Sequence, residues 1–199
     1  GRRDVVACSA TRLLTNQNET DMRLSTVLLA AAAAVTLTAC TAPKPSQYAG
    51  EKPVLDVQDY FNGTLDAHGM FQDRFGKVVK RFVVVMRCTW DGDAGTLDED
   101  FVYSDGTRQK RVWTLRKTGP GRFTATAPDV VGTAEGIVSG NSLRWRYVLS
   151  LPVGERVIDV SMDDWMFLID ERVMLNRTAM SKLGVDLGNV TVSFTKRAP

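Results

Sequence analysis

Apolar and polar residues alternate along almost the whole chain from residue 60 onward, and this period-two pattern constrains the fold more than any other feature. Every second residue from Leu143 to Leu151 is apolar, with Arg144 and Arg146 between them, and the segment 190–195 repeats the pattern. Successive side chains of a β-strand point to opposite faces, so such segments predict strands with one buried face and one polar face.

Turn signals separate these segments at short intervals. Asp-Gly and Gly-Asn pairs allow the positive φ angles of tight hairpins. The signals are Asp91-Gly92, Asp105-Gly106, Gly119-Pro120-Gly121, Gly140-Asn141 and Val153-Gly154. They predict nine or ten strands, near residues 60–67, 77–90, 95–104, 108–117, 121–127, 131–138, 142–151, 155–163, 164–176 and 189–197. Helical periodicity is nearly absent, and a single helical turn is predicted within 176–184.

Consecutive strands joined by tight hairpins form an antiparallel meander. Such a sheet protects its edges best by closing into a barrel, and about eight to ten strands leave room for one small ligand. The segment Trp165–Ile169 is apolar at every position. We interpret it as a strand whose outer face is covered by the N-terminal segment or a short helix. Contact with a membrane or a protein partner is the alternative.

The N-terminal region has the pattern of a secretion signal. Arg23 precedes an uncharged run from Leu24 to Ala39, which is short for a membrane span. The run ends in Leu37-Thr38-Ala39-Cys40, which resembles the bacterial lipobox. We expect cleavage between Ala39 and Cys40 and attachment of acyl chains to Cys40, which anchor the protein to the membrane.

This interpretation divides the chain into four segments. Residues 1–21 are an upstream extension from a misassigned start, because translation is expected to begin at Met22. Residues 22–39 are the signal peptide, 40–53 a Pro-rich tether and 54–199 a single β-barrel domain. By resemblance to Gram-negative lipoproteins, Thr41 after the cysteine favours the outer membrane, with the domain facing the periplasm.

Composition excludes several functional classes. The 199 residues are 44% hydrophobic and carry a net charge of +2 spread along the chain, so we expect no nucleic-acid partner. The three cysteines have no zinc-ligand spacing and there is one histidine, so we expect neither a metal site nor a cofactor.

Four parts of the chain resemble the DUF3833 family of bacterial lipoproteins, and the resemblance extends over about residues 48–197. They are Tyr60–Asp73 (YFNGTLDAHGMFQD), Gly95–Phe101 (GTLDEDF), Val112–Lys117 (VWTLRK), and Asp163–Met166 (DDWM) with Met174–Arg177 (MLNR). The family has no established activity, so the resemblance assigns no catalytic residue. The strand pattern is more distantly similar to lipocalin-like (calycin) barrels, a likeness of fold alone.

Catalysis finds little support in the residues present. A Ser/His/Asp triad would depend on His68, and the chain lacks a Gly-x-Ser-x-Gly elbow. Cys88 shares an apolar strand face with Phe82 and Trp90, and buried thiols are inert. We therefore expect no catalytic residues.

Two acidic residues have the parity of neighbouring apolar side chains. Glu99 shares the parity of Phe101, and Glu171 that of Trp165, so each is predicted to point inward, where a charge needs a partner. Arg177 and Arg172 are the candidate partners. A Glu/Arg pair at a barrel mouth would suit the carboxylate or head group of a ligand.

Our leading hypothesis from the sequence is a non-enzymatic, lipid-anchored barrel that holds or carries an apolar molecule such as a fatty acid or modified lipid. Trp90, Trp113, Trp145 and Trp165 would line or plug it, and Glu99, Glu171 and Arg177 would contact the ligand. The alternatives are an envelope scaffold with a solid core, which binds a protein through Trp165–Ile169, and an enzyme acting on lipids.

Overall fold

Ten antiparallel strands follow one another along the chain in the computed structural model, which describes residues 42–198. A 3-10 helix (Pro45–Tyr48) and a one-turn helix, α1 (Val57–Tyr60), precede them. The strands are β1 (Gly63–Asp73), β2 (Val78–Asp91), β3 (Ala94–Tyr103), β4 (Arg108–Gly119), β5 (Arg122–Thr126), β6 (Val130–Ser139), β7 (Ser142–Val153), β8 (Arg156–Leu168), β9 (Val173–Lys182) and β10 (Val185–Lys196). Within these residues no helix is long and apolar enough to cross a membrane.

The sheet closes on itself because β1 pairs with both β2 and β10. Each strand is hydrogen-bonded to its neighbours in the chain, and Leu65 lies opposite Met86 on one side and Lys196 on the other. Turns are tight where predicted, as at Gly92 and Gly140, each with φ near 55°. The predicted all-β antiparallel meander and barrel are therefore confirmed, with ten strands.

Two predicted boundaries in the last third of the chain are wrong. No turn occurs at residues 163–164, because β8 continues through them to Leu168. Both acidic residues have partners on the neighbouring strands: Arg144 of β7 donates to Asp163 outside the barrel, and Asn176 of β9 donates to Asp164 inside it. The predicted helical turn within 176–184 is also absent, since β9 runs to Lys182 and a hairpin follows.

Helix α1 fills one end of the barrel, which we call the closed end. Asp56 caps the helix by accepting hydrogen bonds from the Gln58 and Asp59 amides, as N-cap residues do. Tyr60 and Phe61 are each 3% exposed. The Tyr60 hydroxyl donates to the Arg172 carbonyl at 3.1 Å, so the last residue of α1 is hydrogen-bonded to the β8–β9 turn.

The segment before α1 lies against the outside of the barrel. Tyr48 packs edge-on against Trp165 and Phe167, with ring centroids 5.6 and 5.0 Å apart. This confirms that the N-terminal segment covers the apolar outer face of β8. Part of the predicted tether, 40–53, is thus packed on the domain. The predicted extension 1–21, the signal peptide 22–39, the cleavage site and Cys40 lie outside the described residues.

Three aromatic rings lie across glycines on neighbouring strands. The pairs are Phe82 with Gly69, Trp90 with Gly95, and Trp145 with Gly136. A Cβ atom on Gly95 would stand 2.8 Å from the Trp90 ring, which is closer than packing allows. Trp90 also donates a hydrogen bond from its indole N–H to the Phe61 carbonyl at 2.8 Å, which links β2 to the residue that follows α1 at the closed end. These glycines therefore set the positions of inward aromatic side chains.

We expect Gly95→Ala to destabilise the protein by about 1–3 kcal/mol, because the new methyl group must displace the Trp90 ring and its hydrogen bond. Gly119→Ala is the matched control, since a Cβ there meets no atom within 4 Å. Urea denaturation of the two variants and the wild type measures the difference. Equal stability of the two variants would contradict this role of Gly95.

Candidate functional site

The barrel encloses a cavity of about 880 Å³. The cavity extends from Val57 and Phe61 at the closed end to Val79 and Val153 at the other end. Val79 and Val153 are more than half exposed, so the cavity opens there, and we call this end the mouth. Most of its wall is apolar and includes Met86, Leu115, Leu143, Leu149, Val160 and Met180.

Polar side chains from separate parts of the barrel meet within this apolar wall. We call the group the polar centre. Its members, all of which line the cavity, are Glu99 of β3, Arg111 of β4, Asp129 from the β5–β6 turn, Tyr147 of β7, Asp164 of β8 and Asn176 of β9.

Arg111 connects two carboxyl groups of the polar centre. It lies directly opposite Glu99 across the β3–β4 ladder, and its Nη1 is 4.0 Å from Glu99 Oε2. Its guanidinium donates hydrogen bonds to Asp129 from two nitrogens. Nε lies 3.0 Å from both carboxylate oxygens, and Nη2 lies 2.6 Å from Oδ2. The strongest hydrogen bonds of Arg111 therefore go to Asp129. Glu99 Oε2 is buried without a hydrogen-bond partner among the described residues.

Burial dominates the protonation of Glu99. It raises the pKa of Glu99 to about 7 from an ordinary 4.5, although the Arg111 charge and the Trp113 side chain oppose the rise. Asp129 and Asp164 add to it by repulsion. Near neutral pH, Glu99 therefore exists in both its protonated and ionised forms.

Asp164 shows the same behaviour on the opposite wall. Burial raises its pKa to about 7, against the hydrogen bonds from Asn176 and Thr178 that favour the ionised form. Tyr147 lies among these groups, and burial together with the Asp164 charge raises its pKa far above the ordinary range. Tyr147 therefore stays protonated and retains a hydroxyl donor.

The structure brings three of the predicted ligand-binding residues to the cavity. Glu99, Trp113 and Trp145 all line it. Trp113 packs edge-on against Tyr147 with ring centroids 5.4 Å apart. Trp90 instead packs near the closed end, against Phe123 and the Phe61 carbonyl.

The other three predicted residues, Trp165, Glu171 and Arg177, lie outside the cavity. The predicted barrel-lining position of Trp165, the inward direction of Glu171 and the place of Arg177 in an inward Glu/Arg pair are therefore wrong. Trp165 and Arg177 are cross-strand neighbours on the outer face, where the Arg144 guanidinium also lies 4.7 Å from the Trp165 ring centre. Glu171 is exposed in the β8–β9 turn. Because β8 has no break at residue 163, the parity of Val160 and Met162 continues and turns Asp164, not Trp165, inward.

The sequence interpretation missed five members of the polar centre as site residues: Arg111, Asp129, Tyr147, Asp164 and Asn176. Strand parity carried a signal for four of them, because each shares the parity of inward apolar residues on its own strand: Arg111 with Trp113 and Leu115, Tyr147 with Trp145 and Leu149, Asp164 with Val160 and Met162, and Asn176 with Met180. Asp129 lies in a turn and has no parity. Glu99 pairs with Arg111 and not with the predicted Arg172 or Arg177.

The side chains considered for catalysis lie apart from the polar centre or are unreactive. His68 is exposed on the outer face of β1. Cys88 is 2% exposed, and burial with the Glu99 charge raises its thiol pKa to about 12. Among residues 42–198, no three His, Cys, Asp or Glu side chains are arranged to hold a metal ion.

The family model DUF3833, described as a protein of unknown function, matches residues 34–196. The chain belongs to this family. Its match extends over all ten strands, and therefore over the cavity and the polar centre. No functionally curated protein matches this DUF3833 chain.

Two solved structures share the barrel fold. The S-type phycobiliprotein lyase CPES of Guillardia theta has a TM-score of 0.54 at 7% identity, with 79% of this chain and 99% of the lyase covered. Rv2717c of M. tuberculosis also has a TM-score of 0.54, at 14% identity, with 74% and 99% covered. The likeness to both supports the lipocalin-like (calycin) barrel fold.

The raised pKa of Glu99 predicts how the free energy of unfolding changes with pH. Between about pH 4.5 and pH 7 the folded chain holds a proton on Glu99 that the unfolded chain has lost. The free energy of unfolding therefore falls as pH rises through this window, by on the order of 3 kcal/mol from Glu99. Glu99→Gln cannot ionise, so it should lose this part of the fall and be more stable than wild type near pH 8.

Urea denaturation between about pH 5 and pH 8 measures this dependence. Exposed carboxylates with lowered pKa values, such as Asp105 and Asp100, act in the opposite direction and below this window, because their stabilisation is lost only as pH falls under about 4. Glu135→Gln, at an exposed glutamate of β6, is the control. Equal slopes for Glu99→Gln and Glu135→Gln would contradict the prediction.

Proposed function

We propose that the barrel binds and carries an apolar small molecule with one polar end. The observation that carries this proposal is the cavity itself: about 880 Å³, apolar along most of its wall, open at the mouth and polar at the Glu99–Arg111 pair. This volume falls within the range of small-molecule sites, which combine apolar walls with a few placed polar groups.

The apolar wall favours a ligand with a long or bulky apolar part. Each methylene group moved from water into such a cavity contributes about 0.8 kcal/mol. The polar centre would then orient the ligand, since its buried acceptors and donors gain partners only from a matching group. Lipids and modified fatty acyl compounds have this division into an apolar body and a polar end.

We further propose that this is a binding protein rather than an enzyme, and that it is a lipoprotein of the bacterial outer membrane facing the periplasm. The lipobox-like sequence before Cys40 supports acylation there. The protonated Cys88 thiol and the outward His68 leave no nucleophile–base pair among these candidates. The scaffold alternative rested on an exposed apolar strand at Trp165–Ile169. Tyr48 already covers Trp165 and Phe167 of that strand, so this support is reduced.

Filling the cavity should abolish binding. Ile158 is inward on β8 and lines the cavity, whereas its neighbour Val157 is 70% exposed. We expect Ile158→Trp to weaken binding of the neutral apolar probe N-phenyl-1-naphthylamine by about tenfold or more, and Val157→Trp to leave it nearly unchanged. Probe fluorescence, excited directly or through Trp113 and Trp145, measures the affinity.

The Ile158 experiment uses the full chain carrying Cys40→Ser, so that no acyl chain attached at residue 40 competes for the probe. Thermal denaturation shows that each variant is folded before its binding is compared. Absence of probe binding by the unmodified cavity, or equal binding by the two tryptophan variants, would refute a ligand site inside the barrel.

Anchoring is tested separately from binding. We expect the wild-type chain, expressed in a Gram-negative host, to incorporate radiolabelled palmitate and to fractionate with the outer membrane. Cys40→Ser should abolish both, because the thiol is the expected acylation site, while Cys88→Ser should abolish neither. Palmitate incorporation by the Cys40→Ser variant would contradict the predicted attachment point.

A further inference from the structure

The polar centre contains more acidic side chains than basic ones. Three carboxyl groups line it, from Glu99, Asp129 and Asp164, against the single guanidinium of Arg111. Lys80 also reaches the cavity wall, but its ammonium binds Asp105 at 2.9 Å at the mouth. Above about pH 7, where Glu99 and Asp164 are ionised, a ligand head group therefore enters surroundings whose charges favour donors of hydrogen bonds over acceptors.

Arg111, the cation of the polar centre, is already engaged. Arg111 makes paired hydrogen bonds to Asp129 at 2.6–3.0 Å, the bidentate arrangement that gives the strongest Arg–carboxylate contacts. A ligand carboxylate would have to compete with Asp129 for this guanidinium while standing near Glu99 and Asp164. Arg111 therefore uses Nε and Nη2 for Asp129, and its remaining nitrogen, Nη1, lies 4.0 Å from Glu99 Oε2, so an anion that approached Nη1 would stand beside two carboxyl groups.

A buried acceptor atom, Glu99 Oε2, lies beside the Arg111–Asp129 pair. Glu99 is 8% exposed and lines the cavity, and its Oε2 has no hydrogen-bond partner among the described residues. A buried oxygen without a partner carries a desolvation cost that a ligand donor can remove. This atom, unlike the acidic composition alone, indicates where a ligand group would bind.

We infer that the polar end of the ligand is a hydrogen-bond donor, namely an amine, hydroxyl or amide N–H, which donates to Glu99 Oε2, and that a free carboxylate is disfavoured. This inference rests on the proposed function and specifies its ligand class. It also replaces the sequence-based expectation that a Glu/Arg pair would suit a ligand carboxylate.

The test uses three amphiphiles that share one apolar chain and differ in the polar end. Dodecylamine, dodecanol and dodecanoate compete with N-phenyl-1-naphthylamine for the full chain carrying Cys40→Ser. At about pH 8 the amine is cationic and the acid anionic. We expect the amine to bind most tightly, the alcohol next and the carboxylate last, with about tenfold or more between the amine and the carboxylate.

The pH dependence gives a second readout on the unaltered cavity. The charged or titratable groups that act on Glu99 are Arg111, Asp129 and Asp164. Tyr103, Tyr147 and Cys88 respond to the charge of Glu99. From about pH 5 to pH 8, ionisation of Glu99 and Asp164 should strengthen amine binding and weaken dodecanoate binding, while dodecanol changes little.

Glu99→Gln identifies the atom responsible. The variant keeps an acceptor oxygen but loses the ionisable group, so the preference for amine over carboxylate should fall several-fold. Glu135→Gln, on the outer face, should retain the full preference. If Glu99→Gln does not fold, the amphiphile ranking and its pH dependence in the Cys40→Ser chain decide the question.

The outcomes separate the two proposals. If the naphthylamine probe binds and dodecanoate competes as well as dodecylamine at about pH 8, the donor inference is overturned and the binding function stands. If neither the probe nor any amphiphile binds, the binding function fails, and the inference fails with it. A preference for the amine that survives in Glu99→Gln overturns the assignment to Glu99.

Discussion

The pairing of β1 with β10 is the interaction on which the cavity depends. It converts an open ten-strand meander into a closed barrel, so every inward side chain faces one shared volume. Closure also satisfies the backbone groups that edge strands would leave unpaired. The burial of Glu99 and Asp164, and hence their raised pKa values, follows from this enclosure.

The strand number explains why the interior is hollow. An eight-stranded barrel is just wide enough for its own side chains to fill, and the diameter grows with each added strand. Ten strands leave space that the side chains do not occupy, except where α1 and Phe61 close one end. The result is a cavity with one closed end and one mouth, a shape suited to a ligand with two unlike ends.

The polar centre is costly to the fold. Buried carboxyl groups with raised pKa values reduce stability near neutral pH, and Glu99 keeps an oxygen that has no hydrogen-bond partner within residues 42–198. Leucine or methionine, which form much of the surrounding wall, would fill the same strand positions without that cost. Titratable groups with perturbed pKa values inside a cavity are typical of functional sites. The chemistry proposed for the ligand therefore rests on the polar centre and not on the tryptophans alone.

Alternation and turn signals are local properties of the chain, and they were enough to predict most strands and hairpins, the barrel class and the inward direction of Glu99. The local pattern misplaced Trp165, because the turn assumed at residue 163 interrupted a parity that in fact continues through β8. Glu171 lies instead in the turn after β8, and Arg177 is the outer cross-strand neighbour of Trp165. Pairing of β3 with β4 already places Arg111 opposite Glu99. Asp129 comes from a turn and Asp164 from the opposite wall, so their positions beside the Glu99–Arg111 pair depend on the folded barrel and could not be predicted from local patterns.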